Sequence, residues 1–292
     1  MKRLREEGYA NLVLRTSKEL DLRRQADVDA FFAQERPEYV FLAAGKVGGI
    51  LANSTYKAEF IYDNLMIAAN VINASFRVGV KKLLNLGSSC IYPKFAPQPM
   101  KEEFLLTGPL EITNEAYAVA KIAAIKLCRY YNEQYHTNYL SVMPTNLYGP
   151  YDNFDLETSH VLPALLRKFH EAKKTGKNTV TIWGSGEPFR EFLYADDLAD
   201  ACTFLMKKYE QQDISELINI GTGKDIKIKD LATLIKKIVG YDGNIEYDPS
   251  KPDGPPRKLL DTSRMSTLGW HPTTSLEEGI RRTYAAYIQD RA

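Results

Sequence analysis

Tyr117 and Lys121 stand one helical turn apart in Tyr117-Ala-Val-Ala-Lys121, an alanine-rich stretch with no Gly or Pro through Lys126. That composition reads as helix, and the spacing puts both side chains on one face. A phenol titrates near ~10 and is a poor base at neutral pH. A lysine ammonium one turn away favours the phenolate and lowers that value. The phenol can then exchange a proton with a carbonyl or alcohol oxygen. Upstream, Leu83-Leu84-Asn85-Leu86 reads as a buried strand that stops at Gly87-Ser88-Ser89. Hydroxyls there lie at the carboxyl edge of a sheet, where open α/β sheets bind their ligands. Ser88 can hold the same oxygen that Tyr117 protonates. The chemistry this set suits is hydride transfer at a carbonyl carbon beside a nicotinamide. A Tyr-x-x-x-Lys spacing by itself is common; its position after strand-ending serines gives it meaning.

The elements around these residues alternate. Met1 to Gly8 reads as the last turns of a helix stopped by Gly8. Asn11 to Thr16 reads as a strand, Asp27 to Phe32 as a helix, Tyr39 to Ala44 as a buried strand and Phe60 to Phe76 as a long helix. Lys82 to Leu86 is the strand before the serines, the Tyr117 helix runs to about Tyr135, and Leu140 to Met143 is another buried strand. Short apolar strands alternating with helices predict a parallel sheet covered on both faces. Gly45 to Gly49 lets backbone approach a ligand closely, or is an ordinary strand-to-helix loop. Pro93 to Thr113 is irregular and bridges strand to helix over the mouth of the site.

After Gly149-Pro150 the alternation is less regular, which predicts a smaller second domain over residues 151–292, with 190–223 a candidate to rejoin the main sheet. Thr158 or Ser159 caps a helix from His160 to Lys174. Thr179 to Trp183 is a strand ending at Gly184-Ser-Gly186, and Asp196 or Asp197 caps the helix after Arg190 to Tyr194. Ile218 to Gly223 lacks the Gly-Lys-Ser/Thr ending of a phosphate loop, so its glycines read as structural. Lys251 to Lys258 is a rigid basic loop.

Four segments together carry a resemblance: Gly87 to Lys94, Asn114 to Lys121, Met143 to Pro150 and Ser159 to Leu166. With the Ser88, Tyr117, Lys121 triad they resemble the extended short-chain dehydrogenase/reductase family, and within it the GDP-4-keto-6-deoxymannose epimerase/reductases, from about Leu12 to the C-terminus. The resemblance implies a Rossmann-type doubly wound sheet over residues 1–150 and a substrate domain beyond it. It implies NADP(H) held by Ser17, Lys18, Asp21, Leu86, Gly87, Ser88, Ser89, Lys121, Pro144, Asn146, Leu147 and His160. It implies catalysis by Ser88, Cys90, Tyr117, Lys121 and His160. The GDP-sugar would meet Lys168, Trp183, Arg190, Asp253 and Lys258, through cations for a diphosphate, a ring for stacking and a carboxylate for hydroxyls. It also implies a homodimer through the helices beside Tyr117. The residues alone leave alternatives open. Arg15 and Lys18 suit a 2′-phosphate or are solvated surface, and Asn146 is equally a turn residue.

Cys90 and His160 sharpen the implied reaction. A C–H beside a keto group is acidic, and removing the proton from one face and returning it to the other inverts the carbon. That takes a base and an acid with pKa values near working pH, and Cys and His titrate closest to neutrality. The implied activity is NADPH-dependent epimerisation of GDP-4-keto-6-deoxy-D-mannose followed by reduction to GDP-L-fucose. Rivals are another nucleotide-sugar epimerase, reductase or dehydratase, or a non-catalytic relative that holds no NADP. The dehydratases carry an acid pair beside the catalytic Ser or Thr, whereas Ser89 and Cys90 follow Ser88 here.

The 292 residues carry 44% hydrophobic and 26% charged side chains, an ordinary globular balance. A net charge of +1 gives no electrostatic case for nucleic acid or an anionic membrane. Cys90, Cys128 and Cys202 stand far apart without a C-x-x-C, against a disulfide framework and a zinc site. No apolar run approaches the ~20 residues of a membrane span, and Met1 to Gly8 is no signal peptide, so the expected compartment is the cytoplasm. The family opens with a strand and a Gly-x-x-Gly-x-x-Gly turn, and no such motif occurs in this chain. The expectation is a sheet lacking its first strand, about 20 further residues upstream in the natural product, and poor folding and weak NADPH binding without them.

Overall fold

The computed structural model describes residues 1–251 and 253–290. Its strands are β1 (Tyr39–Leu42), β2 (Lys82–Leu86), β3 (Tyr139–Pro144), β4 (Asn146–Tyr148), β5 (Thr179–Trp183), β6 (Phe189–Tyr194), β7 (Ile218–Ile220), β8 (Asp225–Lys227), β9 (Asn244–Asp248) and β10 (Arg257–Lys258). Its helices are α1 (Lys2–Glu6), α2 (Gln25–Glu35), α3 (Ile50–Thr55), α4 (Lys57–Val78), α5 (Glu115–Tyr135), α6 (Val161–Thr175), α7 (Ala195–Lys208), α8 (Gln211–Ile214), α9 (Ile228–Val239), α10 (Ser263–Thr267) and α11 (Leu276–Gln289).

The main sheet runs β1-β2-β3-β7, every pairing parallel. Neighbouring residues of β2 go to opposite layers. Leu83 packs with Val28, Phe32, Val71 and Ile72 of α2 and α4, while Leu84 packs with Leu198, Ala201 and Leu205 of α7. Both leucines are 0% exposed, which is why this strand reads as an unbroken apolar run rather than an alternation. β7 closes the far side against Val142 to Pro144 of β3.

The second layer system is built around β6, flanked by β4 and β10 in parallel and met by β8 antiparallel. β5 pairs separately with β9. Leu162, Leu165, Leu166 and Phe169 recur at helical spacing along α6 and bury against α9 and α11.

The structure corrects several expectations. Asn11 to Thr16 is not a strand. Among the described residues no strand pairs with it, Val13 and Leu14 stay exposed, and Arg15 lies against Phe31 and pairs with Glu35. Apolar β-branched composition makes a strand only where another backbone meets it. β1 is not buried as expected: β2 is its only neighbour among the described residues, and Tyr39 is 56% exposed. Neither Thr158 nor Ser159 caps α6; His160 holds that position without a side-chain cap bond. Tyr194, not Asp196 or Asp197, precedes α7, and both aspartates lie inside its first turn, where they complement the helix dipole. Within the loop from Lys251 to Lys258, Pro252 lies outside the described residues.

Candidate active site

A cleft of about 630 Å³ opens at the carboxyl ends of β2 and β3 and extends to β6 and β10. Ser88, Ser89, Cys90, Tyr117, Pro144, Asn146, Leu147, His160, Lys168, Trp183, Arg190, Asp253 and Lys258 all line it. These residues are far apart in sequence and come from both layer systems. Lys121 sits behind the wall, where its ammonium donates to the Leu86 carbonyl at 2.9 Å and stands 5.7 Å from the Tyr117 ring centroid. Phe60 meets that ring edge-on with centroids 6.2 Å apart.

Burial governs the charges here. The Tyr117 phenol lies well above its ordinary value because it is desolvated, with a smaller opposing effect from a Ser88 hydrogen bond. The expected lowering by Lys121 is therefore overturned by burial. Lys121 is itself desolvated, down to about 8, so burial disfavours the charged form of each group, though Lys121 keeps its proton at neutral pH. Burial also raises the Cys90 thiol, although Lys258, Ser88 and Lys121 pull it back. His160 lies on the cleft surface and is pushed below its ordinary value by desolvation and by Lys258. At neutral pH Cys90 is thus protonated and His160 neutral, the states in which a thiol can give a proton and an imidazole take one.

Part of the cleft lining is cationic. In the β6–β10 ladder Lys258 is the register partner of Arg190, and partners across a ladder share a face. Two cations abreast repel one another, and desolvation lowers both. Such a pair fits an anion with two charges to share. Arg190 is fixed by bonds of 2.7 Å from Nη1 to the Phe189 and Pro255 carbonyls. Lys168 donates to the Thr181 carbonyl at 3.0 Å and lies 5.4 Å from the Trp183 ring centroid. Asp253 is exposed and already engaged, accepting from the Ser185 amide at 2.7 Å and hydroxyl at 2.8 Å. Asn146 is not a turn residue: it opens β4 and donates to the Glu191 carbonyl at 2.7 Å.

Ser17, Lys18 and Asp21 do not line this cleft. Ser17 and Lys18 are exposed on a turn, and Asp21 pairs with Arg23 at 2.8 Å. Sequence reasoning also missed lining residues. Asn114 stands one turn before Tyr117, a spacing that could have found it. Asn53, Tyr151 and Asp152 had no such signal, because only the folded chain brings α3 and the loop after β4 to the cleft. Asn53, Asn114 and Ser159 carry buried oxygens without hydrogen-bond partners. A ligand rich in donors satisfies such atoms, so these walls fit a carboxamide-bearing nucleotide and a hydroxylated sugar.

A doubly covered parallel sheet with Ser88, Tyr117 and Lys121 at its carboxyl edge defines a Rossmann-type oxidoreductase class. The chain belongs to the NAD dependent epimerase/dehydratase family, whose model matches residues 1–221. It is 57% identical over 290 residues to GDP-L-fucose synthase 1 of Arabidopsis thaliana, covering 99% of this chain and 89% of that protein. It is 53% identical over 296 residues to GDP-L-fucose synthase of Escherichia coli (strain K12), covering 99% and 92%. The solved structure of a GDP-L-fucose synthetase from Naegleria fowleri bound to NADP superposes with a TM-score of 0.91 at 32% identity, covering 99% of this chain and 89% of that one.

Proposed function

We propose that the chain converts GDP-4-keto-6-deoxy-D-mannose to GDP-L-fucose with NADPH, the epimerisations preceding one reduction. The observation that carries this is a single cleft lined by Arg190 and Lys258, abreast, and by Ser88, Cys90, Tyr117 and His160. The names of the relatives support it.

The Arg190 guanidinium and the Lys258 ammonium bind the diphosphate, and Trp183 offers a stacking face. The sugar then reaches the sheet edge with its keto oxygen between the Ser88 and Tyr117 hydroxyls, which polarise it and acidify the neighbouring C–H bonds. His160 takes a proton from carbon as the neutral base, and Cys90 returns one to the opposite face. Lys121, Asn146 and the backbone at Gly87 to Ser89 hold the nicotinamide end of the cofactor, which supplies the hydride when bound. Tyr117 gives its proton to the carbonyl oxygen as that carbon is reduced, and Lys121 stabilises the phenolate left behind. Ser17, Lys18 and Asp21 are proposed for the adenosine end.

We assign residues 1–150 chiefly to the cofactor and 151–292 chiefly to the sugar nucleotide. The same reading makes the chain a cytoplasmic homodimer through α4 and α5, whose outer residues Tyr62, Val119 and Tyr130 are exposed. No helix among the described residues is long and apolar enough to cross a membrane. The test is NADPH oxidation on adding the keto sugar. Oxidation with the GDP-sugar and not with a UDP-sugar supports the assignment; oxidation indifferent to the nucleotide, or none, rejects it.

A further inference from the structure

Glu191 follows Arg190 on β6 and is 0% exposed. Its carboxylate is divided between two segments. Oε1 accepts from the Thr222 amide at 2.6 Å, the Gly223 amide at 2.8 Å and the Thr222 hydroxyl at 3.3 Å. Oε2 accepts from the Leu260 amide at 2.9 Å. Its main-chain carbonyl takes the Asn146 amide at 2.7 Å and the Thr145 hydroxyl at 3.3 Å. Every one of these partners is an uncharged donor. Gly221 allows the approach, since a Cβ there would lie 2.3 Å from Oε1.

A buried carboxylate without a cation is costly, and here it is held by hydrogen bonds from uncharged donors alone. Its use lies in what it aligns. The β6–β10 ladder has only two register pairs, Phe189 with Arg257 and Arg190 with Lys258. So short a ladder is a weak frame for two like charges abreast. The other bonds that hold the strand after Lys258, from Leu259 to Gln98 and between Leu259 and Met100, lead away from β6. The Leu260–Glu191 bond ties it back, two residues beyond Lys258.

We propose that Glu191 is a positioning residue that holds Lys258 in register with Arg190 and joins this anion site to the β7 turn and to Thr145–Asn146 at the cofactor end. It acts through the Leu260, Thr222 and Gly223 amides and does not touch the reacting atoms. This inference rests on Arg190 and Lys258 being the diphosphate cations of the proposed function.

Glu191→Gln keeps the shape and leaves one acceptor oxygen. With that oxygen toward Thr222 and Gly223, its NH2 faces the Leu260 amide, donor against donor. The main-chain carbonyl that holds Asn146 is untouched. The expected result is about tenfold weaker GDP binding and an equally raised KM for the GDP-sugar, through misplacement of Lys258. NADPH affinity should stay within about threefold. A structural role alone would lower the melting temperature without this split. Amide hydrogen exchange on the unmodified chain gives a second reading that needs no variant: GDP should slow exchange at 222–223 together with 257–260. Unchanged GDP affinity in Glu191→Gln, or protection at 257–260 with none at 222–223, overturns the inference. A wild-type chain that binds no GDP overturns both this and the proposed function.

Discussion

At the scale of single residues, burial decides more than pairing. Tyr117 and Lys121 are neighbours as their spacing requires, yet desolvation raises the phenol and lowers the ammonium. The phenol is thus held as an acid, which is the form a reduction consumes. Tyr117→Phe deletes one oxygen and keeps the ring against Phe60. Reduction should slow on the order of 100-fold or more, with the melting temperature little changed; undiminished turnover would remove Tyr117 from the chemistry. Lys121 holds its proton only below about 8, and the proposed reduction needs that charge beside the departing phenol proton. Reduction should therefore hold at neutral pH and decline as the pH rises through that value. Lys121→Arg stays charged, so a pH–rate profile should show its alkaline limb displaced upward, whatever its plateau. An alkaline limb at the same pH in both chains would contradict this role. The sequence showed which groups are neighbours and gave the wrong direction for Tyr117, because spacing does not reveal how much water the fold removes.

At the scale of elements, the cationic part of the cleft depends on how the turn after β5 meets the loop before β10. Gly184 has φ +78, and a Cβ there would lie 2.2 Å from Asp253 Oδ1. Gly184→Ala should cost about 1–3 kcal/mol in stability and raise the KM for the GDP-sugar by releasing the Ser185–Asp253 contact. Thermal melting and steady-state kinetics read these together, and a chain unchanged in both would mean the turn positions nothing. Here the sequence was legible where a pattern is local. Lys82–Leu86 and Thr179–Trp183 have the bounds that their apolar run and alternation indicate. It failed where the outcome depends on a distant partner. Asn11 to Thr16 has strand composition and no ladder, and Asn146 has turn chemistry and sits in β4. The caps of α6 and α7 failed for another reason: hydroxyl and carboxylate residues near a helix start do not say which of them ends up outside it.

For the whole molecule, the cleft joins two layer systems, and its chemistry exists only where they meet. Cys90 comes from the turn after β2, His160 from the start of α6 and Lys258 from β10, yet Lys258 influences both of the others. The triad was legible because its spacing and the strand-ending serines are local. That Asn53, Asn114 and Ser159 line the same cleft was not, because they come from separate segments that only the folded chain brings to it. The central claim is that this one cleft moves protons at carbon before a hydride reduces the same sugar. The most direct measurement is the reaction of GDP-4-keto-6-deoxy-D-mannose with NADPH in D2O, read by product mass and NMR. The account predicts GDP-L-fucose carrying deuterium at both carbons flanking the former ketone, with one NADPH oxidised per product. It also predicts exchange that falls sharply in Cys90→Ser and His160→Gln. Product reduced without epimerisation or deuterium, or exchange unchanged in both variants, would contradict it.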